Sequence, residues 1–398
     1  MTPACQRGRA AAPLLLALAL AAVVAWRLAT PTLAAPPAPT VPAPAPLLAT
    51  TAGAIAPAIA PLPPALGLSA EQRRDQQVLW RQRLERAQQA LANYQQAARY
   101  PNESRPIEEH PDQLRPFAPV ADERPLRMPG GSVTAGVRLR TTQERIFIAG
   151  SESSRVTVAL VDAEGRALPL RATRAVLHEV TEPGRTASTP EFTMAVNEGS
   201  DGVLSAVIQP ARQGFATYAG TVRLDLLLDH AGAPGFLFFD VIYSPEQAAA
   251  WLPGATDAVA GGDLRFTLRA QVLIAGRYVV SARIDDAAGT PVALALFNAE
   301  LGRGEQAIAL PVAGRLLHDR KPAFPLALRD VEAFLLKPDA FPDRVMLPRL
   351  AGVVHRSAVY ELGRFANAEP QSDQRDRYLA ELGKDVREAE QQLQALGP

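Results

Sequence analysis

The sequence predicts a mainly β protein: two tandem antiparallel β-sandwiches, preceded by an N-terminal membrane segment and flanked by two amphipathic helices. Three observations carry this. From Gly130 the apolar residues change to a period of two, and Gly, Asp and Pro punctuate the runs every ~8–12 residues, as in sandwiches. Residues 11–26 are an unbroken apolar run behind two arginines. Near each end of the folded body, apolar residues recur at heptad spacing among charges and Gln.

Arg7 and Arg9 precede the apolar run, and the small residues Thr32, Leu33, Ala34 and Ala35 follow it. Residues 1–30 therefore read as a signal anchor or as a signal peptide cut after Ala34. At ~1.5 Å per residue, 16 residues barely span a bilayer core, but Trp26 closes the run as an interface anchor would, and the anchor is the preferred reading. Positive charge lies mostly before the run, which keeps the amino terminus inside and sends the body to the periplasm or beyond. Cys5 is the only cysteine and precedes the run, so it is no lipoprotein cysteine and the body contains no disulfide.

Residues 31–68 hold eleven prolines, and no charge falls between Arg27 and Glu71. Such a segment cannot pack; as polyproline II at ~3.1 Å per residue it is a semi-rigid tether reaching roughly 100 Å. Residues 69–98 then read as a helix. Ser69 with Gln72 makes a capping box, and Trp80, Leu84, Ala87, Leu91, Tyr94 and Ala98 form a seam. Residues 370–398 repeat the device behind Ser372, with Leu379, Leu382, Val386, Ala389, Leu393 and Leu396. The seams are matched in length, and three surfaces would cover them: each other, a sandwich, or a second copy of the chain. Docking of the first helix on a sandwich is the expectation, with self-association second.

Residues 99–129 carry a proline about every five residues and read as a strap that is neither helix nor central strand. Glu108, Glu109, His110 and Asp112 crowd there without the further Cys or His of a zinc site. Residues 130–245 are the first sandwich, with strands at 155–161, 203–208, 220–228 and 236–243. Residues 246–260 read as a linker that opens on a short helix, Glu246–Trp251. Residues 261–365 are the second sandwich. One turn recurs in both: Asp162 to Gly165 answers Asp285, Asp286 and Gly289, with the glycines 124 positions apart (289 minus 165), about one sandwich, which suggests a distant duplication. Two adjacent aspartates fall short of the ~6–8 oxygen ligands of calcium and read as hairpin chemistry.

Gly276-x-Tyr278, Ile284-Asp285 with Gly289, Leu301 with Gly304, Leu310-x-x-x-Gly314 and Pro325-Leu326-x-Leu328-x-Asp330-Val331 together resemble the immunoglobulin-like module of bacterial exported choice-of-anchor domain proteins. Tyr100, Pro101, Ser104, Arg105 and Pro106 resemble the segment that precedes that module. The resemblance covers roughly 100–336. It implies tandem immunoglobulin-like sandwiches at the cell surface or in the periplasm, with a varying anchor and no catalytic residues.

Equal numbers of basic and acidic residues, 41 each, suggest no nucleic-acid partner. Neither a nucleophile motif nor a phosphate loop nor a zinc pair appears, and His178, His230, His318 and His355 stand at no telling spacing. The expectation is therefore a non-enzyme with no catalytic, cofactor-binding or metal-ligating residues and no cofactor. Its function class is an interaction or structural module of the bacterial envelope, single-pass through residues 11–26, with a protein partner. The alternatives are a carbohydrate or peptidoglycan binder, which needs aromatics exposed in a row on one strand face, and a periplasmic assembly factor or chaperone resembling lipase foldases in layout.

Overall fold

The computed structural model describes Gly67 and residues 69–128 and 131–397. The apolar run at 11–26, Cys5 and nearly all of the tether lie outside the described residues. Among the described residues no helix is long and apolar enough to cross a membrane. The fold is mainly β with antiparallel sheets, in two compact units: the terminal helices, and residues Tyr100–Glu369.

In the helical unit, α1 (Ala70–Ala97) starts on the expected capping box: Gln72 N donates to Ser69 Oγ at 3.1 Å and Ser69 N to Gln72 Oε1 at 2.9 Å. The other helix, Asp373–Leu396, is capped by Ser372. The two pair with each other in antiparallel fashion. Trp80 is buried with Ala389 and Leu396 against Leu84 and Leu393, Gln77 Nε2 donates to Gly397 O, and Tyr94 meets Tyr378 near the other end. This corrects the expected docking of the first helix on a sandwich: each narrow seam is matched by an equally narrow one, which two-stranded packing requires.

Residues Tyr100–Glu369 enclose two cores. The strap opens on β1 (Ser104–Pro106), two short 3-10 turns over Ile107–Leu114, and β2 (Val120–Arg127). There follow β3 (Val133–Gln143), β4 (Phe147–Ala149), β5 (Ser154–Asp162), β6 (Ala167–Leu168), β7 (Arg171–Glu179), β8 (Phe192–Thr193), β9 (Asn197–Glu198), β10 (Leu204–Ile208), β11 (Gly220–His230) and β12 (Ala233–Ser244). One layer runs β8-β7-β11-β12 and the other β2-β3-β5-β10-β9, joined through the single pair Phe236 and Arg127. Inward residues at every second position, such as Val156, Val158 and Leu160 against Leu224, Phe239 and Val241, make the first core. At the corner between the layers a Cβ on Gly235 would lie 2.5 Å from Leu126 Cδ1, so the buried Leu126 side chain would have to shift.

The second core lies between β13-β14-β17 and β1-β16-β15-β18, the latter extended by β19 and β20. These are β13 (Ala249–Ala260), β14 (Asp263–Val272), β15 (Gly276–Asp285), β16 (Pro291–Leu301), β17 (Gly304–Val312), β18 (Ala327–Leu336), β19 (Arg344–Met346) and β20 (Leu350–Arg356). A short helix, α2 (Gly314–Arg320), precedes β18, and the C-terminal helix is α3. The repeated turn is the same in both halves. Asp162 Oδ1 accepts from Glu164 N and Arg166 N, Asp286 Oδ1 accepts from Ala288 N and Thr290 N, and Gly165 and Gly289 have φ of 82° and 83°. The equivalent residue of Asp162 is thus Asp286, which leaves Asp285 for another task.

Two expectations need correction. The linker at 246–260 with its helix at Glu246–Trp251 is strand β13, the edge of the three-stranded sheet. Ala248 and Ala249 are buried in the core, and pairing with β14 overrides the helix propensity of the alanines. The strap at 99–129 contains two strands. β1 pairs with β16 about 190 positions later, and β2 tolerates Pro125 because β2 meets β12 at Arg127 alone.

Trp80 is 5% exposed and fills the helix pair. Trp80→Ala is expected to cost about 3–5 kcal/mol there. Circular dichroism at 222 nm should show helix melting at lower temperature, while the midpoint of the β unit stays in place.

Candidate interaction surfaces

The strap crosses the outer face of the β15–β18 sheet, and arginines hold it there. Asp285, whose side chain is 2% exposed, sits in the register shift at the end of β15. It accepts from Arg283 Nε at 2.9 Å and Arg329 Nη1 at 3.0 Å, and Arg329 Nε reaches Asp330 at 3.0 Å. Asp330, at φ 52°, also accepts from Gly352 N at 2.8 Å. With both its acceptor oxygens engaged, Asp285 fixes Arg283, whose Nη1 donates to the strap carbonyl of Leu114. Arg349 stacks on Phe117 while pairing with Glu332. Two of the strap's acids pair with arginines, Glu108 with Arg320 at 2.7 Å and Glu109 with Arg105 Nε at 2.9 Å. His110 is held below the ordinary imidazole range by burial, against the opposing pull of Asp112 and Glu109. Among the described residues no group of three His, Cys, Asp or Glu is placed to hold a metal ion.

The histidines, silent in the sequence, each find a partner. His230 Nδ1 meets Pro169 O and His318 Nε2 meets Phe365 O. His178 Nε2 lies 3.1 Å from Asp225, and His355 Nε2 lies 2.7 Å from Asp257. Sequence reasoning missed the last site because its members are about 100 residues apart. Asp257 Oδ2 also accepts from Tyr360 O–H at 2.7 Å and Ala358 N at 3.0 Å, and His355 packs edge-on against buried Phe266. Burial pushes the Asp257 carboxyl up, but the bonds from His355, Tyr360 and Ala358 outweigh it and the net shift is downward. The cluster pins the segment after β20 onto β13.

Two aromatic side chains stand side by side on one strand face. Phe236 and Phe238 occupy successive outward positions of β12, but the Arg223 guanidinium covers the Phe238 ring at 4.0 Å while bound to Asp240. Trp80 is buried in the helix pair, and Trp251 donates to Pro348 O.

An opening lies at the edge of the second core. β1 covers β16 only at Ala293–Ala295, with Leu296 N donating to Glu103 O at 2.8 Å; beyond it, no strand among the described residues pairs with that edge. There a groove of about 390 Å³ runs between β16 and the β14 and β17 strands opposite, walled by Glu103, Asp263, Arg265, Phe297, Asn298 and Pro311. Phe297 packs against the core while remaining half-buried. Asn298, Ala299 and Glu300 are exposed along the rim.

No family model and no curated protein matches this chain. The choice-of-anchor resemblance therefore rests on the strand and turn residues quoted above. Among solved structures, the chain is similar to a DUF4785 family protein from Legionella pneumophila, at 11% identity over 55% of this chain and 57% of that one, TM-score 0.38. It is also similar to the Yersinia pseudotuberculosis adhesin InvE, at 14% identity over 52% and 58%, TM-score 0.17. A third is the Escherichia coli adhesin FdeC, at 18% identity over 54% and 64%, TM-score 0.20. The matches span less than two thirds of those chains, and at these scores no function passes from them to this one.

The Asp257 cluster generates a pH prediction. A carboxyl lowered in the folded state stabilises above the ordinary aspartate pKa of 3.8 and loses that contribution as pH falls through the folded value. Asp257→Asn should cost about 1.5–3 kcal/mol at pH 7. Urea melts of mutant and parent should start to converge only as pH falls below the ordinary value of 3.8 and meet once it has passed the lower folded value, since protonation removes the charge that holds the same bonds.

Proposed function

We propose that this chain is a non-enzymatic interaction module of the bacterial envelope. Its body, two immunoglobulin-like sandwiches, is held outside the cytoplasmic membrane by residues 11–26 and presents the β16 edge to a protein partner. The export reading rests on Arg7, Arg9 and the apolar run, with a body free of cysteine. The immunoglobulin-like reading is supported by two cores, each between antiparallel sheets, and by the shared Asp-to-Gly turn. The observation that carries the interaction reading is the uncovered length of β16 above the groove, because natural sheets normally pair, cover or blunt such an edge.

Photo-crosslinking in cells tests it. A benzoylphenylalanine replacing Ala299 should capture a protein partner, while the same group replacing Ala233, at the start of β12, should not. Protease added to spheroplasts should degrade the body. A protected body would contradict the topology, and equal labelling from both positions would contradict the assigned surface.

A further inference from the structure

Resting on that reading, we infer the form in which the partner binds: an extended, basic peptide segment that adds to β16 as an antiparallel strand in line with β1. The backbone geometry argues it. In an antiparallel ladder, N–H and C=O groups point alternately to the two neighbours. Leu296 N donates away from β15, to Glu103 O, so the even-numbered residues of β16 address the outer edge. By the same period Asn298 and Glu300 present their N–H and C=O groups to that edge beyond the end of β1. The strap cannot supply their partner, since it turns at Asn102 and Glu103 and carries Pro101 next to the groove.

Side chains of an added strand alternate between its two faces. One set would enter the groove, where Phe297 and Pro311 offer apolar wall; the other would face solvent. The site's charge favours a basic sequence: Glu103 and Asp263, the latter also accepting from Gly314 N at 2.9 Å, line the groove with Arg265, Glu300 stands next along the rim, and Arg277 is turned onto Asn298 Oδ1 at 2.7 Å. The attachment continues an existing interface, β1 on β16, so the incoming strand meets a register already set.

The test uses the full-length chain in detergent and a synthetic octapeptide of alternating Lys and Val. The peptide should bind, and amide exchange at Asn298 and Glu300 should slow at least tenfold. N-methylation of alternate peptide residues on the pairing edge should weaken binding at least tenfold, whereas methylation on the opposite edge should not. Asn298→Pro, which removes the edge N–H, should abolish binding. A melting temperature matching the parent's would confirm that this variant folds. Absence of peptide binding, or binding indifferent to N-methylation, would overturn strand addition. If the Ala299 crosslinker still captures a partner in that case, the interaction reading stands and only its mode falls. If the crosslinker captures nothing, the interaction reading falls as well.

Discussion

The buried carboxylate of Asp285 is the constraint on which the rest of the β unit depends. A carboxylate that is almost without solvent must have its charge matched, and Arg283 and Arg329 do so from two adjacent strands. Once Arg283 is turned onto Asp285, its remaining donor reaches Leu114 O, and the strap is fixed across the sheet. The position of β1 on β16 follows, because β1 lies only eight residues before Leu114. Where β1 ends, the open edge begins. One ion cluster thus governs how much of β16 is covered and how much is presented.

The same chemistry explains why the strap is rich in proline. A proline lacks the N–H that a ladder needs, so a segment with one about every five residues makes only short or one-sided pairings. Pro106 ends β1 and Pro111 opens a 3-10 turn; over 104–117 the strap covers the sheet without growing into a full strand. Cover without full pairing leaves a neighbouring edge available, which a longer β1 would have closed.

Much of this was legible in the sequence where the signal is local. The capping box at Ser69 and Gln72 and both heptad seams are the observed caps and contact faces, because helix periodicity is written within a few residues. The Asp-to-Gly turns also form as read, for Asp bonds its own backbone and Gly takes positive φ. What stayed hidden depends on pairs far apart. The start of β13, residues 249–251, looked helical because its alanines favour helix, and only β14 makes it a strand. The Asp257 cluster joins residues about 100 positions apart. The role of Asp285 was masked by its neighbour Asp286, which takes the turn. The open edge of β16 could not be read at all, since it is defined by where a strap strand almost 200 residues away stops.

Amide exchange of the Asp285→Asn protein tests the central claim most directly. The substitution keeps the shape but leaves Arg283 and Arg329 to share the single carboxylate of Asp330, one charge short, a change of the kind that costs about 3–5 kcal/mol. Exchange should accelerate first at Leu296 and along residues 104–117, with Leu224 and Val241 of the first core unchanged. Parent-like protection at Leu296 would show that the strap is held without the ion cluster and would contradict the account.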